Sequence, residues 1–503
     1  MAVEQADSPV PQPEPSGHEK LFALPEPPSL SLGFETYNSP YAYRYGSKAM
    51  KENWSQNKFW LNVQDFWVAT AEVQQEVGLV TQEEVDDLKA HRGELRVERI
   101  FQFEQDPDVG TRHDVAAAIA AYAEKAPIGG KKLHLGETSE DPLGAAEIMQ
   151  INEGFEIIDG KLNSNLLAMA DRIEKHKDLK AMGFTHLQIA EPTTYGYRFA
   201  KYAQDMLMDK EFMGYVRGMI KAKGVKGPVG TSGALEELLA STGMTPEEHE
   251  KRIMDKLGLD FVTVSDQTYP RKMLFLTEAA LASVAQTLHR YTLDLQLLSS
   301  AFVMEVSEPY RKGQTGSSAM PHKKNPINSE NAGSITEPLA GHLTSAWQTG
   351  AFVTLERTLR DSAGKRSWLP ESFLAVDEAL TRTERVTKGL IVRDRVIDAN
   401  LRKYAPFAAT ERVLTKLTDA GMGRPEAHEI LVGLSEQAME AVGSGEPNPM
   451  YDLVLGEPRI TSLIGEEAAA SSFDEILEHV GNAPRLCEKF LQEELYPAIQ
   501  KAA

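Results

Sequence analysis

Long helical repeats are the feature of this sequence that most limits what it can fold into. One series of apolar residues steps by four, three and four, through Leu162, Leu166, Met169 and Ile173. A second steps alternately by three and four, through Leu281, Val284, Leu288, Tyr291, Leu295 and Leu298. Such spacing puts apolar side chains on one face of a helix, and that face must pack against other helices to be stable.

The repeats therefore predict an all-α fold built on a bundle of long helices. The β-branched runs, such as residues 261–264, are short and leave little room for a sheet. The second series is core packing by its pattern, and it is long enough for its helix to be shared between subunits as well.

Shifts in composition divide the chain into four predicted segments. Residues 1–35 are rich in proline, which is typical of a disordered tail. Residues 36–137 form a mostly helical N-terminal domain, and residues 138–392 form the central domain with the long-helix bundle. Residues 393–503 form a helical C-terminal domain.

The charge and the cysteine content exclude several classes of partner and compartment. The net charge of −21 argues against nucleic acid or an anionic membrane as the main partner. Cys487 is the single cysteine, so no intramolecular disulfide can form, which suits a reducing cytosol and predicts a cytoplasmic protein. There is no apolar run of about 18 residues that would predict a transmembrane helix. The acidic N-terminus, with Glu4 and Asp7, does not resemble a signal peptide.

A polar, glycine-rich and basic loop at residues 313–330 interrupts the helical pattern. Gly313 and Gly316 give the backbone freedom, and Pro321 and Pro326 oppose a helix. The loop also contains two hydroxyls, two cations and an amide: Ser317, Ser318, Lys323, Lys324 and Asn325. These residues predict a mobile loop that closes over an anion, although composition alone also allows a solvated loop between helices.

Two further polar stretches precede helices. In Arg112-His113-Asp114-Val115, Asp114 can cap the helix that follows. In the stretch 134–139, Thr138 and Ser139 stand where a helix N-terminus presents N–H groups, which suits a carboxylate or a phosphate. An ordinary N-cap explains the second stretch about as well.

Two more stretches contain a histidine and a group of cations. His186 follows Thr185, and a lone histidine of this kind is usually structural. Arg357, Ser362 and Arg366 have a spacing that could fork around one phosphate, although such a run is usually a solvated face.

The sequence lacks the motifs of metal and nucleotide cofactor sites. The histidines at 113, 134 and 186 lie on separate segments without cysteines or carboxylates at ligand spacing, so no metal site is predicted. No P-loop or dinucleotide fingerprint is present, and Ser317 has no serine-hydrolase motif around it.

Residues 316–326, Gly-Ser-Ser-Ala-Met-Pro-His-Lys-Lys-Asn-Pro, resemble the signature loop of the fumarase/aspartase superfamily, in the form found in its adenylosuccinate lyases. Other segments resemble that family in the same order: Arg44-Tyr45, 112–115, 134–139, 183–186, 224–227, 267–272, 356–366 and 490–497. The resemblance runs from about residue 38 to 500. It implies a three-domain fold whose central bundle forms a homotetramer, with active sites shared between three subunits and no cofactor.

The reaction implied by this resemblance is the reversible elimination of fumarate from an N-succinyl nucleotide. Adenylosuccinate would give AMP, and the related imidazole-carboxamide ribotide would give its free amide. Two alternatives stay open: a lyase of the same superfamily with another N-succinyl substrate, such as argininosuccinate, and a non-catalytic protein that kept the fold. Departures from the family pattern at Gly144, Glu191 and Tyr197 leave the preferred substrate open.

The resemblance also implies roles for individual residues. Ser317 matches the catalytic base, His186 the general acid and Lys323 a cation beside the base. Glu330 would orient His186 or Lys323, and His113 would contact the substrate in an undefined role. The positions that match substrate binding are Arg44, Tyr45, Arg112, Asp114, Thr138, Ser139, Thr185, Gln267, Arg271, Ser318, Met320, Asn325, Arg357, Ser362 and Arg366. These residue types suit an elimination, which needs a base, stabilisation of a carbanion and an acid for the departing nitrogen.

Overall fold

A computed structural model describes residues 39–106, 110–311, 313–314 and 316–500, and the predicted tail at 1–35 lies outside them. Within this part of the chain most residues are helical, as predicted. The helices are α1 (Pro40–Tyr43), α2 (Lys48–Asn53), α3 (Gln56–Glu76), α4 (Gln82–Ala90), α5 (Val97–Gln105), α6 (Asp114–Lys125), α7 (Glu140–His176), α8 (Tyr195–Met219), α9 (Gly233–Leu239), α10 (Pro246–Leu257), α11 (Lys272–Ser299), α12 (Ile327–Thr336), α13 (Leu339–Ala351), α14 (Lys365–Gly389), α15 (Asp394–Asp419), α16 (Arg424–Gly443), α17 (Met450–Leu455), α18 (Pro458–Ile464), α19 (Glu466–Glu478), α20 (Ala483–Phe490) and α21 (Tyr496–Gln500). None of these helices is long and apolar enough to cross a membrane.

Within the described ranges, two small antiparallel sheets accompany the helices. Strand β1 (Lys180–Thr185) pairs with β2 (Gln188–Thr194), and β3 (Val306–Ser307) pairs with β4 (Ile391–Val392). The sequence patterns did not predict the first hairpin. Its tip consists of two residues with positive φ, His186 at 53° and Leu187 at 59°, which is the backbone of a tight two-residue turn.

The long helices α7, α8, α11 and α14 form the central bundle, and polar contacts fix their register. Arg172 of α7 donates from Nε to the carbonyl of Thr387 on α14, at 2.7 Å. Tyr291 of α11 and the Thr387 hydroxyl lie 2.9 Å apart. Both apolar series predicted from the sequence line this core, and all their members are buried except Leu298, which is partly buried.

The series on α11 therefore packs within the protomer. Other apolar side chains of the bundle are left exposed, and they include Met208 and Tyr215 on α8 and Leu293 and Leu297 on α11. The bundle thus has a filled interior and a second, unpacked apolar side.

The two ends of the bundle contain different structures. At one end, which we call the arginine end, the starts of α7, α11 and α14 meet through ion pairs of Arg271 and Glu147. At the other, which we call the hairpin end, the β1–β2 hairpin lies near Glu305 of the loop after α11. There Tyr195 donates its hydroxyl to Glu305 at 2.8 Å. α7 has 37 residues, so the two ends are roughly 55 Å apart at about 1.5 Å per residue.

Helices α15 to α19 enclose a second apolar core, which Met182 of strand β1 joins. The chain then ends in α20, a π-helical turn at Leu491–Leu495 and α21. Pro497 is the second residue of α21, which follows the π-helical turn without a break.

Candidate active site

A pocket of about 250 Å³ opens at the arginine end. Its apolar wall contains Trp54, Phe59, Trp60 and Phe101. Its polar wall contains Asp114, Glu140, Glu147, Ser362, Lys365 and Arg366. Three residues predicted to bind substrate, Asp114, Ser362 and Arg366, thus come together, although Asp114 is far from the other two in the chain.

Arg366 is the most accessible cation of this pocket. Its side chain is 67% exposed, and its Nη2 lies 3.5 Å from Oδ2 of Asp114. An ion pair that is this exposed and this long contributes little, so an incoming anion can replace Asp114 at small cost.

The helix that follows Asp114 is not capped by it, contrary to the expectation from the sequence. His113 is the N-cap of α6, and its Nδ1 accepts from the N–H of Ala116 at 3.4 Å. Asp114 is the first residue of the helix. Its Oδ1 accepts from the N–H of Val115 at 2.8 Å, and its Oδ2 faces Arg366 in the pocket.

Two arginines and two carboxylates form a closed ring behind the pocket. Glu140 meets Arg357 Nη2 at 2.8 Å with Oε1, and Arg271 Nη2 at 3.2 Å with Oε2. Asp361 meets Arg271 Nη2 at 2.6 Å with Oδ2, and Arg357 Nε at 3.4 Å with Oδ1. We call these four residues the arginine ring. The side chain of Arg271 is only 2% exposed, so it supports the pocket wall and does not line the cavity.

A second group of ions extends the ring. Lys365 Nζ lies 2.7 Å from Glu147 Oε2, and Tyr269 donates its hydroxyl to the same carboxylate. Burial alone would raise the pKa of Glu147, but the charges of Lys365 and Arg271 outweigh it and lower that pKa. For Asp361 burial is likewise outweighed by Arg271 and Arg357, so its pKa is lowered as well. Both carboxylates are therefore held in the charged form.

The turn with Thr138 and Ser139 precedes α7 directly. Ser139 is the N-cap residue, and its hydroxyl makes no capping bond. Asp141 accepts from the N–H of Thr138 at 2.7 Å and pairs with the fully buried Lys223 at 2.6 Å. Asp141 thus holds the turn in place, and the Ser139 hydroxyl takes no part in holding it.

The predicted loop is ordered around Ser317. The Ser317 hydroxyl oxygen accepts from two backbone N–H groups, those of Met320 at 3.1 Å and Ala319 at 3.4 Å. Asn325 closes the loop, because its Nδ2 donates to the carbonyl of Gly316 at 3.2 Å. A Cβ on Gly316 would lie 2.3 Å from the carbonyl oxygen of Lys323, so the loop can close this tightly only with glycine there.

His186 lies at the tip of the β1–β2 hairpin and is exposed. Thr185 precedes it and pairs with Gln188 across the turn. Gly183 sits at an irregularity of this hairpin, where a Cβ would lie 2.5 Å from the carbonyl oxygen of Glu191. The hairpin presents His186 outward, away from the rest of its own protomer.

The remaining predicted residues lie outside the pocket lining. Arg44 and Tyr45 follow α1, and the adjacent N–H of Gly46 donates to Glu378 on α14 at 3.0 Å. Gln267 accepts from Arg357 at 3.1 Å. Several predicted residues are exposed: Arg112, His113, Ser318, Met320, Lys323 and Glu330. Among the described residues, Glu330 forms no ion pair with His186 or Lys323 in the protomer.

Sequence reasoning missed the carboxylates that balance the arginines. Glu140 and Glu147 are seven residues apart, two turns along the same face of α7, and Asp361 follows Arg357 by four residues. A spacing of four brings charged side chains together on a helical turn, and a spacing of seven puts both glutamates on one face of α7, so these spacings were the available signal.

Comparison with known proteins assigns the family. A family model described as "Lyase" matches residues 44–340, and one described as "Adenylosuccinate lyase C-terminus" matches residues 406–490. Adenylosuccinate lyase of Schistosoma mansoni is 34% identical over 93% of this chain and 96% of its own length. The Saccharomyces cerevisiae enzyme is 33% identical over the same shares. The chain belongs to the adenylosuccinate lyase family. Members of this family are carbon–nitrogen lyases of the fumarase/aspartase superfamily, and so is this chain.

Solved structures agree with this family in fold. A fumarate lyase from Mesorhizobium sp. BNC1 has a TM-score of 0.77 at 21% identity, over 91% of this chain and 100% of the other. The 3-carboxy-cis,cis-muconate lactonizing enzyme from Pseudomonas putida has a TM-score of 0.77 at 21% identity, over 92% and 99%. The chain therefore shares its helical fold with both of these proteins.

Proposed function

We propose that this lyase catalyses the reversible elimination of fumarate from adenylosuccinate, giving AMP, and the same reaction on the related imidazole-carboxamide ribotide. The observation that carries the proposal is the arrangement at Ser317, where two backbone N–H groups point at one hydroxyl oxygen. Donors in this position favour the deprotonated hydroxyl, which is the form that can remove a proton beside a carboxylate.

The other groups of the elimination follow from this base. Lys323 adds positive charge to the same loop, which favours both the alkoxide and the carbanion that forms after proton removal. His186 donates a proton to the departing nitrogen, a step that suits an imidazole near neutral pH. The hydroxyls of Thr138 and Ser139 bind a carboxylate of the succinyl group. The reaction needs no metal or cofactor.

The recognition of the nucleotide belongs to the arginine end. Ser362 and Arg366 face the pocket there, and Arg366 can exchange its weak contact with Asp114 for a phosphate. The aromatic residues on the opposite wall give a purine an apolar surface on which to pack.

The distances within one protomer support a site that is shared between protomers. Thr138 precedes the start of α7, and β1 begins four residues after its end. α7 is roughly 55 Å long, whereas the six residues of β1 reach back by about 20 Å at most. His186 is therefore some tens of ångströms from the Thr138 turn of its own chain, too far for both to touch one substrate.

The exposed apolar residues support the same conclusion. They occur on the outer sides of α8 and α11 and beside the arginine end, where Leu355 is 91% exposed and Leu359 is also exposed. Surfaces of this kind usually mark contacts with other chains. We propose a homotetramer in which three protomers contribute to each site, in agreement with the prediction from the sequence. A cytoplasmic location stays a prediction.

A fumarate-release assay over a panel of N-succinyl compounds tests the proposed function. We expect release from adenylosuccinate and from the imidazole-carboxamide ribotide, and none from argininosuccinate. Release from argininosuccinate alone would assign the chain to another substrate. No release from any compound, by folded and assembled protein, would contradict the function itself.

A further inference from the structure

The arginine ring joins two parts of the pocket that are distant in sequence. Glu140 follows Ser139 directly, and Asp361 precedes Ser362 directly. Each arginine contacts both carboxylates, so the turn with Ser139 and the loop with Ser362 are held by the same ring. A displacement of Glu140 would therefore be passed on to both sides of the pocket.

The charges of the ring are balanced within it. Arg271 and Arg357 carry two positive charges, and Glu140 and Asp361 carry two negative ones. The four side chains are largely or fully buried. None of them has a spare charge for a ligand, whereas Arg366 beside them is exposed and weakly paired. The ring thus holds the walls of the pocket in place, and Arg366 provides the positive charge for an anionic ligand.

Glu140 is the member of the ring with the closest link to the substrate. It lines the pocket itself, and it is the residue through which α7 contacts both arginines. Its two oxygens are used by different guanidinium groups, so no single neighbour can take its place.

We propose that Glu140 is a positioning residue that sets the separation between the succinyl-binding turn at Thr138–Ser139 and the phosphate-binding loop at Ser362–Arg366, acting through Arg271 and Arg357. This inference rests on the proposed function, because it assumes a substrate with an anion at each end. Glu140 makes no contact with the reacting atoms in this account.

Glu140→Gln tests the inference, because the amide keeps the shape and one acceptor but removes the charge. We expect KM for adenylosuccinate to rise at least tenfold and kcat to fall, because the two anion-binding parts are no longer held at one separation. Asp361→Asn should have the same effect from the opposite side of the ring. In the double variant the change in KM should be clearly smaller than the product of the two single changes, because either substitution already opens the ring.

Glu156→Gln is the matched control. Glu156 lies on the same helix, and its 67% exposed side chain pairs with Arg217, so the KM of Glu156→Gln should equal that of the unmodified enzyme. A role in charge balance alone predicts the opposite result for Glu140→Gln, since a pocket with one more positive charge should bind the anionic substrate more tightly.

Each outcome decides the inference. A KM at or below that of the unmodified enzyme would contradict it, and so would a loss of folding in both Glu140→Gln and Asp361→Asn, because that result would assign the ring to stability alone. Failure of the proposed function would be seen separately, as an unmodified enzyme that releases no fumarate.

Discussion

The two ends of the bundle contain similar polar residues, but these are buried and paired at one end and exposed at the other. At the arginine end, three cations and three carboxylates are buried against one another, and the pocket is already formed in a single protomer. At the hairpin end and in the loop at residues 313–330, His186, Lys323 and Glu330 are exposed, and within the described chain Glu330 pairs with neither of the other two. Under the proposed shared site, the groups for recognition are positioned within one chain, whereas the groups for chemistry are completed by a neighbouring protomer.

The largest effect should come from the Ser317 hydroxyl. Ser317→Ala removes the proposed base, and we expect kcat to fall by about a thousandfold or more, as for the loss of a general base. The assembly and the thermal midpoint should be unchanged, because the hydrogen bonds of this hydroxyl to described residues stay within its own loop. Ser444→Ala, an exposed position at the end of α16, is the control. Retained turnover in Ser317→Ala would show that Ser317 is not the base.

A comparison of Arg271→Ala with Arg366→Ala tests whether the arginine end is preformed. The first leaves Glu140, Glu147 and Asp361 buried without a shared cation and should cost about 3–5 kcal/mol of the free energy of unfolding. The second removes an exposed side chain and should cost less than about 1 kcal/mol, while it raises KM for the nucleotide. Urea unfolding and steady-state kinetics measure both. Equal losses of stability would contradict the distinction between support and recognition.

The geometry of the Ser317 loop can be tested without touching a reacting group. Gly316→Ala places a Cβ against the carbonyl of Lys323, so the N–H groups of Ala319 and Met320 can no longer converge on Ser317. We expect kcat to fall by about a hundredfold, as when a stabilising donor is removed. Gly433→Ala in α16 is the control, since a Cβ there meets nothing within 4 Å. Equal kcat values in the two variants would show that turnover does not need these N–H groups to converge on Ser317.

A buried carboxylate without a cation gives the smallest predicted effect. Glu278 on α11 is fully buried and accepts from Ser372 at 2.8 Å, and the Ser372 hydroxyl also lies 2.8 Å from Nδ1 of His342. Burial raises the pKa of Glu278 to about 8. It also lowers the pKa of His342, while the charge of Glu371 opposes that change.

The folded protein therefore keeps a proton on Glu278 that the unfolded chain loses near pH 4.5. The stabilisation is complete below that pH and is lost as the pH rises through about 8. Between pH 6.5 and 9 we expect the advantage of Glu278→Gln over the unmodified chain in urea unfolding to grow by about 2 kcal/mol. A difference that is independent of pH would contradict the assignment. Glu147→Gln should show no such gain, because cations hold Glu147 ionised.

The helices were predictable because their signals are local. The spacing of Leu162, Leu166, Met169 and Ile173 is a property of consecutive turns, and all four residues are buried as the pattern required. The β1–β2 hairpin was missed because two left-handed residues, His186 and Leu187, form its turn without the glycine or asparagine that usually indicates one.

The site was only partly predictable for a different reason. The resemblance selected Asp114, Ser362 and Arg366, which share a pocket. It did not select Glu140 or Glu147, because the fold brings their partners Arg271, Arg357 and Lys365 to α7 from distant parts of the chain. The N-cap at His113 was missed because an aspartate follows it, and aspartate is the commoner cap.

Mixing two inactive variants tests the central claim, that each site is shared between protomers, for Ser317 and His186, the pair to which the family resemblance gives the roles of base and acid. Ser317→Ala and His186→Ala are unfolded, combined in equal amounts and allowed to reassemble, and fumarate release is then measured. We predict that activity returns to about a quarter of the unmodified value, since each of two protomers supplies its intact residue about half of the time. No return of activity, in mixed assemblies whose formation is verified, would place both residues in the same chain's site and contradict the account.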